Sequence, residues 1–188
     1  MTTRRPFIPP RRPVFIGCEG ESEAGYVGLL QDLLHAQNIA IHLIVENLGT
    51  GASEPQTRVE LAVRKLEQLR RTRTAPKDRF VLLDHDQANV NPQRTEVARR
   101  LARDNGIQIV WQRPCFEALL LRHLPQCTAR RPPTSLEADR ALKREWNDYQ
   151  KPMSRFELTR MIDLDGVLRA AAVEQELSLL LTCIELVS

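Results

Sequence analysis

Acidic residues stand where short apolar runs end. Glu19 follows Val14-Phe15-Ile16-Gly17-Cys18, Glu46 follows Ile39 to Val45, and Asp84 with Asp86 follows Phe80-Val81-Leu82-Leu83. If the runs are strands of an open parallel sheet, these acids lie at the carboxyl ends, where ligands gather. Asp84 and Asp86, at i and i+2 of an extended segment, point to one side and present two carboxylates to one cation. Crowded anions are costly unless positive charge binds among them. A hard divalent ion such as Mg²⁺ takes oxygen ligands and keeps waters that substrate phosphates can displace. The pattern therefore points to metal-assisted phosphate chemistry. His85, between the aspartates, alternates to the opposite side, and Glu46 reads as structural.

Other phosphate chemistries fit less well. No G-x-x-x-x-G-K-[ST] loop exists, and Gly49-Thr50-Gly51 runs on to Glu54 where a dinucleotide fingerprint wants a third glycine. A phosphate-transferring Asp-x-Asp enzyme of the haloacid-dehalogenase kind carries its pair on the first strand, not the third. A receiver domain wants a lysine near a late strand end, where this chain has none. Ser22 and Ser53 lack a nearby histidine in a nucleophile elbow.

The elements that must hold these acids alternate. After the first strand, Ser22 is a candidate cap for a helix carrying Tyr26, Leu29, Leu30, Leu33 and Leu34 to about His35. Val59, Ala62, Val63, Leu66 and Leu69 mark a second helix. The third strand, without polar alternation, suits a central position covered on both faces. Asn91-Pro92 reads as N-cap and first residue of a helix that stops before Gly106. Ile107 to Trp111 is a fourth strand, and Phe116, Leu119, Leu120 and Leu124 a further helix. This order predicts an α/β fold with a mostly parallel four-stranded sheet and flanking helices. The pattern changes near Pro125. Residues 125–188 read as a helical extension: Ser135 caps a polar helix toward Trp146, and one long helical pattern runs from Leu164 to Glu185. That extension either forms a homodimer interface or packs on the sheet. Residues 1–12, rich in arginine and proline, read as a mobile arm, leaving 13–124 as the α/β domain.

Composition bounds the partners. The chain has 188 residues, 27 Lys+Arg against 24 Asp+Glu, and a formal net charge of +3, too mild to establish a nucleic-acid partner alone. Lysine occurs only at Lys65, Lys77, Lys143 and Lys151, so the cationic charge is chiefly guanidinium, whose planar fork suits phosphates. Four scattered cysteines without a C-x-x-C pair read as buried reduced thiols rather than a zinc site or disulfide framework. No run approaches the roughly 18 apolar residues of a membrane helix, and no signal peptide is evident. A cytoplasmic location without a membrane partner is expected.

Three segments resemble the RloB family, small Toprim-like proteins encoded near restriction-modification and other defence loci. They are Cys18-Glu19-Gly20-Glu21-Ser22-Glu23-Ala24-Gly25-Tyr26, Val81-Leu82-Leu83-Asp84-His85-Asp86, and Arg113-Pro114-Cys115-Phe116-Glu117-Ala118-Leu119-Leu120-Leu121-Arg122-His123. The third departs from the family in carrying Arg113 where asparagine is usual. Tyr149 and Lys151, before the last helices, are compatible with the likeness. The resemblance implies a Toprim fold and a Mg²⁺- or Mn²⁺-dependent nuclease of a bacterial defence system, acting on DNA or RNA. Glu19 would be a metal ligand or general acid/base, Asp84 and Asp86 metal ligands, and Glu23, the second acid of a Glu-Gly-x-x-Glu pattern, a further metal ligand helping to hold a second ion. Glu117 is either a further site residue or a helix-start carboxylate, and His123 is expected buried and hydrogen-bonded. Arg94, Arg99 and Arg100, on the helix after the Asp-x-Asp, are candidates for nucleic-acid backbone contacts. The alternatives are a non-catalytic nucleic-acid-binding or partner subunit of a defence complex, and a small-molecule phosphohydrolase.

Overall fold

The computed structural model describes residues 10–49, 54–72 and 76–187. The elements run β1 (Arg12–Cys18), α1 (Glu21–Ala36), β2 (Ile41–Asn47), α2 (Pro55–Thr72), β3 (Asp78–Asp84), α3 (His85–Val90), α4 (Pro92–Asp104), β4 (Gln108–Gln112) and α5 (Phe116–His123). They continue as α6 (Ser135–Glu145), α7 (Arg155–Leu158), α8 (Leu164–Ala171) and α9 (Gln175–Cys183). The four strands form one all-parallel sheet in the order β2-β1-β3-β4. The chain thus winds outward from β1 to β2, then returns to place β3 and β4 on the other side. A crevice opens where the winding reverses, between the carboxyl ends of β1 and β3.

Strand alternation divides the apolar residues between two cores. Val14, Ile16, Phe80 and Leu82 face α1, α5 and the C-terminal helices, whereas Phe15, Val81 and Leu83 face α2 and α4. Both faces are covered, which is why β1 and β3 read as unbroken hydrophobic runs. The helices after Pro125 share the first core: Tyr149, Met153, Leu158, Val167 and Leu180 are buried in the same cluster as Tyr26 and Leu120. Ser22 Oγ accepts a hydrogen bond from Met153 N at 3.0 Å, and a Cβ at Gly25 would stand 2.4 Å from Met153 O. Only glycine at 25 lets the 153–155 segment approach α1 this closely. That contact carries the preceding Lys151 toward the carboxyl end of the sheet.

Several local expectations change. α1 opens at Glu21 with Gly20 in the cap position, so Ser22 is a buried first-turn residue that binds the C-terminal segment instead of capping. Asp84 and Asp86 do not share an extended segment, because the chain turns into α3 at His85. Thr134, not Ser135, caps α6. The pattern from Leu164 to Glu185 is two helices, α8 capped by Asp163 and α9 starting after Glu174. No glycine or proline marks that break, and the apolar period runs across it because both helices face one core. Asn91 and Pro92 do cap and open α4, with Asn91 Oδ1 accepting from Arg94 N at 3.2 Å. Arg12 opens β1, its guanidinium donating to Cys183 O at 2.5 Å and pairing with Asp78. Residues 1–9 of the expected arm, and Thr50-Gly51, lie outside the described residues. All four cysteines are free thiols, three of them buried, and no helix among the described residues is long and apolar enough to cross a membrane.

Candidate functional site

Glu19 is the first residue beyond β1 and Asp84 the last of β3, so each stands on one lip of the crevice. A hydrogen bond spans it: Asp84 N donates to Glu19 Oε2 at 3.0 Å. Asp84 occupies the cap position of α3 but does not cap it. Its Oδ1 instead accepts from Phe116 N at 2.8 Å, supplying the acceptor that Cys115 does not provide at the start of α5. A negative side chain there also meets the positive end of that helix. Two backbone N–H groups thereby orient the two carboxylates.

A cavity of about 470 Å³ opens above this pair, lined by Glu19, Glu21, Glu23 and Asp84 against Lys151, with Phe116 at one side. Four carboxylates against one ammonium give the lining a formal charge of −3. Burial and mutual repulsion act together on Glu19, Glu23 and Asp84. The Asp84 carboxyl is pushed well above the ordinary range by burial and then by the charges of Glu23, Glu19 and Asp86, with Lys151 opposing. Burial also raises Glu19, against the Asp84 N–H and the Arg58 guanidinium, and raises Glu23, with Glu19 adding to the effect. The pocket is short of positive charge, and protons or a cation would relieve it.

Glu19, Glu23 and Asp84 are thus brought together. Asp86 does not line the cavity: its carboxylate accepts from the Ser135 hydroxyl at the start of α6, and its backbone N–H donates to Pro114 O at 2.9 Å. Its Oδ1 is buried without a hydrogen-bond partner, as are both polar side-chain atoms of Gln112, which pairs with Asp84 in the β3–β4 register. Glu117, 2 % exposed, accepts from the Tyr149 hydroxyl at 3.0 Å and pairs with Lys151. It anchors the lysine and does not itself line the cavity. Arg94, Arg99 and Arg100 lie on α4, outside the cavity lining. There Arg94 pairs with Glu54, while Arg99 pairs with Glu96 at 3.7 Å and lies over the Trp111 ring. His85 packs edge-on against Trp111, away from the pocket. His123 is fully buried, bonded to Tyr26 Oη at 2.8 Å and Leu119 O at 2.8 Å, and burial pushes its pKa down to about 4.

Two participants were not expected from the sequence. Lys151 reaches the pocket from a segment 132 residues beyond Glu19; its signals in the sequence are the rarity of lysine and its place, with Tyr149, in the family likeness, neither of which points to the pocket. Arg58 is 2 % exposed, with Nε 3.7 Å from Glu19 Oε1 and Nη1 donating to Leu48 O at 2.6 Å. Its signal is spacing, because position 58 falls on the buried stripe of α2 with Val59, Ala62 and Leu66.

Among the described residues, no three His, Cys, Asp or Glu side chains are grouped as a ready-made metal cage. Mg²⁺ does not require one, since it is usually held by one or two carboxylates, waters and substrate phosphates. All-oxygen donors and a −3 lining suit a hard cation of that kind.

An α/β protein with an acidic crevice at the switch point of a parallel sheet belongs to a class defined by ligand binding at strand ends. Within it, the profile of the RloB-like protein family matches residues 14–178, most of the chain, and the protein belongs to that family. No curated protein and no solved structure matches it.

Proposed function

We propose that this protein is a Mg²⁺- or Mn²⁺-dependent phosphodiesterase of the Toprim type, cleaving nucleic acid in a bacterial restriction or anti-phage defence system. One observation carries the reading: Glu19 and Asp84 meet across the switch-point crevice, in a pocket with a −3 lining whose carboxyl pKa values burial and repulsion push up. Glu19, Asp84 and Glu23 are the side chains that would hold the cation. When bound, it supplies Lewis-acid stabilisation of charge on the phosphodiester oxygens and acidifies an attacking water.

The chain's own groups do the rest. The Asp84 and Phe116 N–H groups hold the carboxylates in place before substrate arrives. Burial moves Glu19 in the direction that a proton-transferring carboxylate needs. Lys151, braced by Glu117 and indirectly by Tyr149, offers an ammonium to a non-bridging phosphate oxygen on the opposite wall.

The test is a cleavage panel on single- and double-stranded DNA and on RNA, with Mg²⁺, Mn²⁺ or EDTA, beside Glu19→Ala and Asp84→Asn. Cleavage is expected with the metals, not with EDTA, and not in either variant. Cleavage that survives both substitutions comes from elsewhere. Nucleic-acid binding without cleavage returns the protein to a non-catalytic subunit.

A further inference from the structure

A second cavity, of about 560 Å³, lies between the Arg130–Pro133 loop, α5 and α6. Its ionisable lining is Arg130, Arg131, Arg140 and Arg144 against Glu137, a formal +3. The loop is ordered: Arg130 pairs with Glu145 at 2.7 Å, Arg131 Nη1 donates to Thr128 O at 2.8 Å, and Pro132-Pro133 stiffen the backbone. Arg140 and Arg144 are exposed and stand at i and i+4 on α6, one turn or about 6 Å apart along the axis. Among the described residues neither has an ion-pair partner. Like charges at that spacing cost an isolated helix a few tenths of a kcal/mol, so packing gives no reason for them. Arg131 also lines the neighbouring cavity, where it pairs with Glu174 at 4.0 Å, so the charge not offset by an ion pair in the groove is that of Arg140 and Arg144.

We infer that this groove binds the phosphate backbone of a nucleic-acid strand, with Arg140 and Arg144 each meeting a different phosphate and Arg130 and Arg131 forming the opposite wall. Guanidinium forks match phosphate oxygens bidentately. The choice of a nucleic-acid strand over another polyanion rests on the phosphodiesterase reading of the acidic pocket. The two cavities share a wall, since Phe116 of α5 lines the pocket and Leu121 of the same helix lines the groove. The hydroxyl of Ser135, at the start of α6, also bonds Asp86 directly behind the Asp84 corner. The groove would hold the strand beside a pocket that, at −3, repels it until a cation is present.

The experiment measures binding of a fluorescent single-stranded oligonucleotide to the full chain in EDTA, over a salt series, on the Glu19→Ala background so that cleavage plays no part. Arg140→Ala with Arg144→Ala should lose at least about tenfold in affinity at physiological salt. The slope of log affinity on log salt should fall by about 1.4, two contacts at about 0.7 each. Arg70→Ala with Arg71→Ala, removing equal charge from the exposed last turn of α2, should change both little, and thermal unfolding should show both variants folded. Binding within about twofold of the parent in the α6 variant overturns the proposal, as does an equal loss in the α2 variant. Polyglutamate competing as well as unlabelled oligonucleotide would also overturn it, in favour of an acidic protein partner. Groove binding that persists in a protein without cleavage removes the phosphodiesterase reading and leaves the groove. Metal-dependent cleavage unaffected by the α6 substitutions does the reverse.

Discussion

The two cavities on either side of α5 carry equal and opposite formal charge, −3 in the switch-point pocket and +3 in the α6 groove, yet they hold it in different ways. Glu19 and Asp84 sit at strand ends, locked in place by backbone N–H groups, and Glu23 lies buried in the first turn of α1, 7 % exposed. The groove's helix arginines extend from an exposed face into solvent. Water screens the second set, whereas burial shields Glu19, Glu23 and Asp84 more than the exposed Glu21, so electrostatic strain is concentrated at those three carboxyls. Preorganised buried charge opposes folding, whereas solvated charge costs little stability.

This contrast can be broken most severely at the pocket. Asp84→Asn keeps an oxygen for the Phe116 N–H and removes the charge. Several kcal/mol of transition-state stabilisation should vanish with it, lowering metal-dependent cleavage by about 10³-fold in a single-turnover assay. Next in size is the apolar side of α5, where Tyr26→Phe leaves buried His123 without its hydroxyl partner. Denaturant unfolding should show a loss of about 1–3 kcal/mol.

The same Asp84→Asn variant should gain stability where it loses activity. The raised native pKa values of Asp84, Glu19 and Glu23 mean that the folded protein holds protons more tightly than the unfolded chain. Metal-free stability from these groups therefore falls as pH rises from the ordinary carboxylate value of about 4 through the raised native values. At neutral pH in EDTA, Asp84→Asn should melt above the wild type, by about 2–4 °C for each kcal/mol relieved, and its pH profile should be flatter. His123 has the opposite sign. With its native pKa lowered to about 4 from 6.5, stability is lost as pH falls through that window. Melting curves of the two proteins across this range separate the contributions. The smallest effect belongs to the groove: Arg140→Ala with Arg144→Ala should shift stability by no more than about 0.5 kcal/mol by chemical denaturation, even as strand binding falls.

How much of this could be read from the sequence follows from how local each cause is. Unbroken apolar runs announced β1 and β3, and the acids ending them were visible as Glu19 and Asp84. Asn91-Pro92 carried its own cap chemistry and marked α4 correctly. The Asp84-His85-Asp86 geometry was misread because α3 is a six-residue helix, too short for an apolar period, and the aspartate pair looked extended without it. Ser135 and Thr134 are equally suited to cap α6, and only the fold decides that Thr134 caps it while the Ser135 hydroxyl turns toward Asp86. Lys151 and the α6 groove depend on the C-terminal segment crossing α1 at Gly25 and on α6 lying beside α5, contacts with no periodic trace in the chain. The arginines of α4 stand near the Asp-x-Asp in sequence, and α6 reaches the same corner through space, through Ser135.

Mn²⁺ titration of the metal-free protein by calorimetry tests most directly whether the switch-point pocket takes a divalent cation. The wild type should bind Mn²⁺ at this pocket near neutral pH, more weakly as acid protonates the carboxyls, and Asp84→Asn and Glu19→Ala should lose that binding while remaining folded. Undetectable Mn²⁺ binding to the wild type, or equal binding by both variants, would contradict the account.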